Sequence, residues 1–171
     1  MKNNEVIKAE VTRLLEGINE HEHVLRMRTF IQHGKITTYD HCFRVAAMSY
    51  RINKMFNLNS DEKALIRGAF LHDYFLYDWH KKKAKFKNLK EFFKLHGFMH
   101  PSYAAANAKR DFGIGEKEEN IIRSHMWPLT VTKLPKCREA VIVCIADKLT
   151  SATETILRFY KKPLDTVEVY L

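Results

Sequence analysis

The sequence predicts an all-α fold, a single helical bundle, and three observations support this prediction. Apolar side chains recur every three or four residues over most of the chain, which is the period of an amphipathic helix. The alternating pattern that is typical of strands is scarce. Glycine, proline and asparagine residues stand between the periodic stretches, where helices are expected to begin and end.

The N-terminal third of the chain should contain three helices. Their predicted ranges are 3–19, 22–32 and 38–56. Gly34 and the pair Thr37-Thr38 mark a stop and a restart between the second helix and the third. In the third helix, His41 lies on the same face as four apolar residues and is therefore expected to point into the core. These four are Val45, Met48, Ile52 and Met55.

The remaining two thirds of the chain should also be helical. Helices are predicted at 61–72, 88–97, 101–112, 116–126 and 135–150, and the last continues as helix over 151–160. Ser60 is the expected N-cap of the first of these, and Asn88 with Glu91 resembles a capping box at the second. Pro101 and Pro135 should each open a helix, because proline fits the first helical turn.

Length and composition indicate one folded domain. A chain of 171 residues, 46% of them apolar, can build a sizeable core, since a chain near this size buries roughly 70% of its unfolded surface. We expect residues 1–171 to form a single domain. Its core should span about 36–160, with N-terminal helices over 1–35 packed on it and a tail over 161–171.

The charge, the cysteines and the absence of long apolar segments limit the possible partners and the expected location of the protein. The formal net charge of +9 favours anionic partners such as phosphate esters, nucleotides or nucleic acid, without choosing among them. The three cysteines have no metal-binding spacing and read as reduced thiols. No signal-peptide core is present, and no apolar run approaches the roughly 20 residues that cross a bilayer. A cytoplasmic protein without a membrane partner is expected, of unknown oligomeric state.

The most informative residues are His72 and Asp73, which follow the apolar stretch 64–71. Burying a carboxylate without a partner is costly, so Asp73 should be paired or bound to metal. Further candidate ligands occur about one helix apart along the chain, so that they can converge inside a bundle. They are His41, His100, His125 and Asp147.

A mixed set of imidazoles and carboxylates suits Fe, Mn, Co, Ni or Zn better than Mg or Ca. With two such ions about 4 Å apart, a bridging water becomes a hydroxide nucleophile near neutral pH, as phosphoester hydrolysis requires. Taken singly, each residue has an ordinary structural interpretation. His41 alone would be a hydrogen-bonded core histidine, and Asp147 alone could pair with the adjacent Lys148. The metal hypothesis depends on all of them lying at core-facing positions.

These residues, in this order, resemble the HD-domain superfamily of metal-dependent phosphohydrolases, whose pattern is H…HD…D. The pattern stands here as His41, His72-Asp73 and Asp147, with similar local contexts at 40–46, 68–73 and 146–148. His100-Pro101 and His125 resemble the two additional histidines of the binuclear subgroup, which includes cyclic-dinucleotide phosphodiesterases and symmetrical dinucleoside-tetraphosphate hydrolases.

The resemblance implies an all-α fold and two divalent transition-metal ions. His41, His72 and Asp147 would hold one ion, His100 and His125 the other, and Asp73 would bridge them. Asp73 and Lys148 are the expected catalytic residues. One departure concerns the substrate: the cyclic-di-GMP subgroup has a doubled histidine and a Gly-Tyr-Pro motif, whereas this chain reads Ser-His-Met-Trp-Pro-Leu over 124–129.

Cationic and aromatic residues near the motif are candidates for substrate binding. Arg44, Lys81 and Arg123 could bind phosphate oxygens, and Trp127 could stack on a nucleobase. A solvated loop is the simpler interpretation of the lysines over 81–85, and packing is the commoner use of aromatic side chains.

The sequence therefore predicts a metal-dependent phosphohydrolase or phosphodiesterase that hydrolyses a small nucleotide-like phosphate ester. The alternative is a non-catalytic regulatory protein that binds a nucleotide or RNA at the same site, with nucleic acid the less favoured partner. A third reading is the oxygen-dependent C–C or C–P cleavage that some members of the superfamily carry out at a di-iron centre.

Overall fold

Seven α-helices and one short hairpin form the part of the chain that the computed structural model describes, residues 4–77 and 96–159. This confirms the all-α prediction. In chain order the elements are α1 (Asn4–Leu14), α2 (Glu22–Leu25), a 3-10 turn (Arg26–Thr29), β1 (Ile31–His33), β2 (Ile36–Thr37), α3 (Thr38–Met55), α4 (Glu62–Leu71), α5 (His96–Phe112), α6 (Glu116–Ser124) and α7 (Arg138–Phe159).

The hairpin is the main departure from the predicted helices. A helix was expected over 22–32, but helical structure ends at Thr29 and the chain enters β1. Strands β1 and β2 pair antiparallel, with Ile31 opposite Thr37. Gly34 makes the turn at φ 61°, a conformation that glycine adopts without strain. The β-branched residues of 31–37 favour strands, but the stretch is too short for its period to be read from sequence.

Several helix boundaries also differ from prediction. Helix α1 ends at Leu14 rather than at 19. The N-cap of α4 is Asp61, whose carboxylate accepts from the main-chain N–H of Ala64 at 3.0 Å, and not Ser60. Pro101 lies inside α5 instead of opening it. Helix α7 begins at Arg138 rather than at Pro135, and it continues without a break to Phe159, as the predicted continuation over 151–160 requires.

Helix α3 is the centre of the bundle. It packs against α4 on one side and α7 on another, while α1 lies across α3 and α4 through Ile7 and Val11. Three of the four apolar residues predicted to share the buried face with His41 are buried, but Met55 at the end of α3 is exposed. The predicted capping box at Asn88 and Glu91 and the tail after 160 lie outside the described residues.

Helices α4 and α6 approach each other closely at Gly68. A Cβ atom at this position would stand 2.8 Å from both Cδ1 and Cγ2 of Ile121. Both helices end within a few residues of this contact, α4 just before His72 and α6 just before His125. The absence of a side chain at Gly68 therefore sets the spacing of two candidate ligands.

None of the described helices is long and apolar enough to cross a membrane. The three cysteines are free thiols, of which Cys42 and Cys144 are buried.

Candidate metal centre

The six predicted ligands are brought together by five helices. His41 lies in the first turn of α3, which begins where the Thr37 hydroxyl accepts from the main-chain N–H of Asp40 at 3.1 Å. His72 and Asp73 follow the last residue of α4. The other three ligands are contributed by α5, the C-terminus of α6 and α7, and all six side chains are buried. These three are His100, His125 and Asp147.

One part of the cluster is formed by His41, His72 and Asp147. Oδ1 of Asp147 lies 3.3 Å from Nε2 of His41 and 3.7 Å from Nε2 of His72. Nε2 of His72 is also 3.5 Å from Oδ2 of Asp73. Candidate donor atoms of His41, His72 and Asp73 all lie within 4.8 Å of one another, so these residues could hold a metal ion.

The other part is formed by Asp73, His100 and His125. Oδ1 of Asp73 lies 3.1 Å from Nε2 of His100 and 3.6 Å from Nε2 of His125. The two imidazole Nε2 atoms are 2.8 Å apart. This second group could also hold a metal ion. Asp73 belongs to both groups and presents a different carboxylate oxygen to each.

Two atoms of the cluster support its interpretation as a metal site. Nε2 of His72 and Oδ1 of Asp73 are buried and make no well-oriented hydrogen bond among the described residues, although Oδ1 lies 3.1 Å from Nε2 of His100. Buried polar atoms are almost always satisfied, because an unsatisfied one costs about 1–3 kcal/mol. Nε2 of His72 lies near carboxylate oxygens of Asp73 and Asp147, and Oδ1 of Asp73 lies near two imidazole nitrogens. A cation at the centre would satisfy them, so the residues present fit divalent metal ions.

Acceptors at Nδ1 orient the rings of His41, His72 and His125. His72 and His125 approach main-chain carbonyls, those of Ala69 and Ile122, each at 2.7 Å. His41 instead approaches the Oε2 atom of Glu154 at 3.0 Å. An acceptor at Nδ1 fixes the tautomer that leaves the lone pair on Nε2, and it makes the ring a better metal donor. The Nε2 atoms are accordingly directed into the cluster.

Asp73 is oriented by the hairpin that the sequence did not predict. The Gln32 amide donates to Oδ2 of Asp73 at 2.7 Å, and the Thr38 hydroxyl donates to Oε1 of Gln32 at 3.2 Å. All three side chains are buried. The hairpin therefore fixes one oxygen of Asp73.

The charges of the cluster are strongly coupled. Burial acts to raise the pKa of Asp73, yet His72, His100 and His125 hold it well below its usual range. Burial acts to lower the pKa of His41, but the carboxylates of Asp147 and Glu154 raise it to about 10. Burial together with the neighbouring His72 and His100 lowers the pKa of His125 to about 3. His125 is thus a neutral nitrogen donor at physiological pH, whereas His41 holds a proton that a metal ion would displace.

The predicted catalytic lysine has a main-chain partner. The Lys148 ammonium group donates to the carbonyl of His125 at 3.0 Å and to that of Cys144 at 3.2 Å. These bonds tie α7 to the C-terminus of α6, where His125 stands. A catalytic role for Lys148 stays a prediction.

The predicted substrate-binding residues are dispersed. Arg44 lies 3.6 Å from Glu154, on the Nδ1 side of the His41 ring, whereas the cluster lies on the Nε2 side. Arg123 pairs with Glu119 at 2.8 Å on the outer surface of α6. Trp127 is 39% exposed, two residues after His125. Lys81 lies outside the described residues.

Two residues of this site, Gln32 and Glu154, were not predicted from the sequence. Glu154 could have been found, because it follows Asp147 by two helical turns and so lies on the same face of α7. Gln32 carried no such signal, since its position depends on the hairpin.

Comparison with known proteins identifies the family. No curated protein and no solved structure matches the chain significantly. The model of the HD domain matches residues 38–152, which is more than half of the chain and includes all six residues of the cluster. The chain belongs to the HD-domain family.

Proposed function

We propose that the protein is a metal-dependent phosphohydrolase that acts on a nucleotide-like phosphate ester. The observation that carries this proposal is the position of Asp73 between two groups of histidines, with one oxygen facing each group. Membership of the HD-domain family, whose members are generally metal-dependent hydrolases, supports the same reaction class.

Each group of residues would hold one ion. His41, His72 and Asp147 would bind the first, and His100 with His125 the second, while Asp73 would bridge both. Divalent ions, when bound, supply Lewis acidity toward phosphoryl oxygens and lower the pKa of water to near neutrality. Nitrogen-rich sites of this kind favour Fe, Mn, Co, Ni or Zn.

The protein's own residues contribute orientation and electrostatics. Glu154 holds His41 with its Nε2 atom toward the cluster, and Gln32 fixes one oxygen of Asp73. Lys148 keeps the His125 segment against α7. The low pKa of His125 leaves its ring neutral, so it can bind a cation without first losing a proton.

A nucleotide-like substrate is supported by charge and by one aromatic side chain. The net charge of +9 favours a phosphorylated ligand. Trp127 is partly exposed close to His125 and can stack on a base. Lys81, which the sequence predicts to bind phosphate, is a further proposed contact to the substrate.

Elemental analysis of protein purified without chelator and without a nickel column tests the proposal. We expect about two transition-metal ions per chain and hydrolysis of phosphoesters with that metal. Asp73→Ala should lose both the metal and the activity, because each ion loses a ligand. His100→Ala should lose one ion more readily than two.

Asp111→Ala is the matched control for Asp73→Ala. Asp111 is also a poorly exposed carboxylate in a polar network, with Arg110, His23 and Tyr74, but it lies outside the cluster. This variant should keep its metal content. Two results together would favour the alternative, a non-catalytic regulatory protein. The protein would hold no metal after reconstitution with Mn or Fe, and it would bind RNA in a salt-sensitive manner without cleaving it.

A further inference from the structure

A second concave site lies behind His41, on the side of the ring that faces away from the cluster. It is a cavity of about 220 Å³ between α1, α3 and α7. None of the six candidate metal ligands lines it. Apolar side chains, among them Ile7 and Phe43, form part of its wall. The cavity is therefore distinct from the proposed metal centre, although both are built on α3 and α7.

The charges around this cavity favour an anion. Lys8, Arg44 and Arg51 contribute three positive charges, and Glu154 contributes one negative charge. The difference is two positive charges, which a phosphate monoester dianion would neutralise. Arginine is well suited to this task, because its planar guanidinium group can donate two parallel hydrogen bonds to a phosphate.

Two buried polar atoms of the wall are unsatisfied. Thr150 is 1% exposed, and its hydroxyl has no hydrogen-bond partner among the described residues. Oε1 of Glu154, which is 2% exposed, also lacks one, although the Arg44 guanidinium stands 3.6 Å away. A hydroxyl of this kind can donate to an anion, and a bound phosphate would offer it an acceptor.

The cavity is connected to the metal centre by two contacts. Arg44 neutralises one oxygen of Glu154, and the other oxygen of Glu154 accepts from Nδ1 of His41. An anion that draws Arg44 toward itself would leave Glu154 a stronger acceptor. A stronger acceptor at Nδ1 makes the His41 ring a better donor at Nε2. The anion's own charge would favour nearby cations as well.

We propose that this cavity binds a phosphate monoester with a small apolar group, and that this ligand strengthens metal binding through Arg44, Glu154 and His41. The phosphate lies among the three cations, and the apolar group lies against Ile7 and Phe43. The binding site stands on the cavity alone, whereas its effect on metal binding rests on the proposed function.

Isothermal titration of chelator-stripped protein with phenyl phosphate tests the site without turnover. We expect saturable binding that Arg44→Gln and Arg51→Gln each weaken by about 10-fold, as the loss of one charged hydrogen bond predicts. Lys8→Gln, at an exposed position that tolerates substitution, should weaken binding by a smaller factor. Inorganic phosphate should bind more weakly than phenyl phosphate, because it lacks the apolar group. Equal affinity would overturn the proposed ligand class.

Two control variants locate the bound phosphate. Arg13→Gln removes an exposed α1 arginine that pairs with Glu10, so it lowers the net charge equally but should leave binding unchanged. His100→Ala alters the cluster and should also leave binding unchanged. The absence of saturable binding, or equal losses in Arg13→Gln and Arg51→Gln, would overturn the site. A loss in His100→Ala would place the phosphate at the cluster and overturn it too.

The link to the metal centre is tested by reciprocity. Saturating phenyl phosphate should tighten Mn²⁺ binding, and Mn²⁺ should tighten phenyl phosphate binding by the same factor. Glu154→Gln should remove this coupling while making phenyl phosphate bind more tightly, because it removes the negative charge from the cavity. Binding without coupling would overturn the regulatory part alone and leave both the cavity site and the proposed hydrolase standing.

Discussion

The Nδ1 atom of His41 lies 3.0 Å from Oε2 of Glu154, and both side chains are almost fully buried. Two other histidines of the cluster, His72 and His125, have main-chain carbonyls at Nδ1. A carboxylate acceptor makes the imidazole more electron-rich than a carbonyl does. His41 should therefore be a stronger nitrogen donor than His72 or His125.

Glu154→Gln should weaken metal binding by about 10–100-fold, the usual effect of removing a hydrogen-bond partner behind a ligand. The amide has the same shape but no charge, so the His41 ring becomes a poorer donor while the helix is retained. Competition with a metallochromic chelator measures the affinity.

Glu139→Gln is the matched control for this substitution. Glu139 is also a buried carboxylate of α7, but it accepts from the main-chain N–H of Asp61, far from His41 along the helix. Its substitution should leave metal affinity unchanged. Equal losses in the two variants would mean that Glu154 acts only through stability.

The metal-free protein should lose stability as the pH rises from neutral to alkaline. Asp147 and Glu154 raise the pKa of His41 to about 10 against the effect of burial, whereas an unfolded histidine titrates near 6.5. Between these values the native state holds a proton that the unfolded state releases. The contribution of His41 is complete below pH 6.5 and is lost as the pH rises through 10.

Urea denaturation of chelator-stripped protein at several pH values measures this effect. The free energy of unfolding should fall by at most about 1.4 kcal/mol per pH unit, the value for one proton. His41→Gln should have a flatter profile over the same range. A wild-type profile as flat as that of the variant would show that His41 does not hold the proton.

The metal-ligand candidates could be located from the sequence, whereas the groups that orient them were not predicted. His41, His72 and Asp147 could be located from sequence because helical periodicity places each on a buried face, and the HD-domain pattern fixes their order. The cluster also required His72 and Asp73 to stand where a helix ends, and α4 does end at Leu71.

The features that could not be predicted from the sequence depend on contacts between residues that are distant along the chain. The bond from Gln32 to Asp73 joins positions 41 apart and requires a hairpin whose two strands have only three and two residues, too short to show a strand period. Arg44 was predicted to bind substrate because it is a cation close to His41 in the sequence. Closeness in sequence does not determine on which side of the imidazole ring the guanidinium group lies. In the structure it lies on the Nδ1 side, beside Glu154.

Gln32→Leu should destabilise the metal-free protein by about 1.5–3 kcal/mol, the value of a hydrogen bond to a charged group. The substitution introduces an apolar side chain of similar size and removes the donor to Oδ2 of Asp73. Thr38→Val removes the hydroxyl that contacts Oε1 of Gln32 and the main-chain carbonyl of Phe30 but leaves the bond to Asp73 in place, and it should cost less. Chemical denaturation measures both. A neutral effect of Gln32→Leu would mean that water replaces the amide and that the hairpin does not hold Asp73.

Gly68→Ala should destabilise the protein by about 1–3 kcal/mol through overpacking, although alanine is the better helix former. The new methyl group would meet two carbon atoms of Ile121 at 2.8 Å and push α6 away from α4. Because His72 and His125 follow these two helices, metal affinity should fall together with stability.

Ile121→Ala removes both of the opposing atoms, and in the double variant the added methyl group should occupy the space that they leave. We therefore expect the double variant to be more stable than the sum of the two single effects predicts. The difference should be at least about 0.5 kcal/mol, which is a typical coupling energy between contacting residues. Additive effects in a double-mutant cycle would show that the close approach at Gly68 does not set the spacing of the two helices.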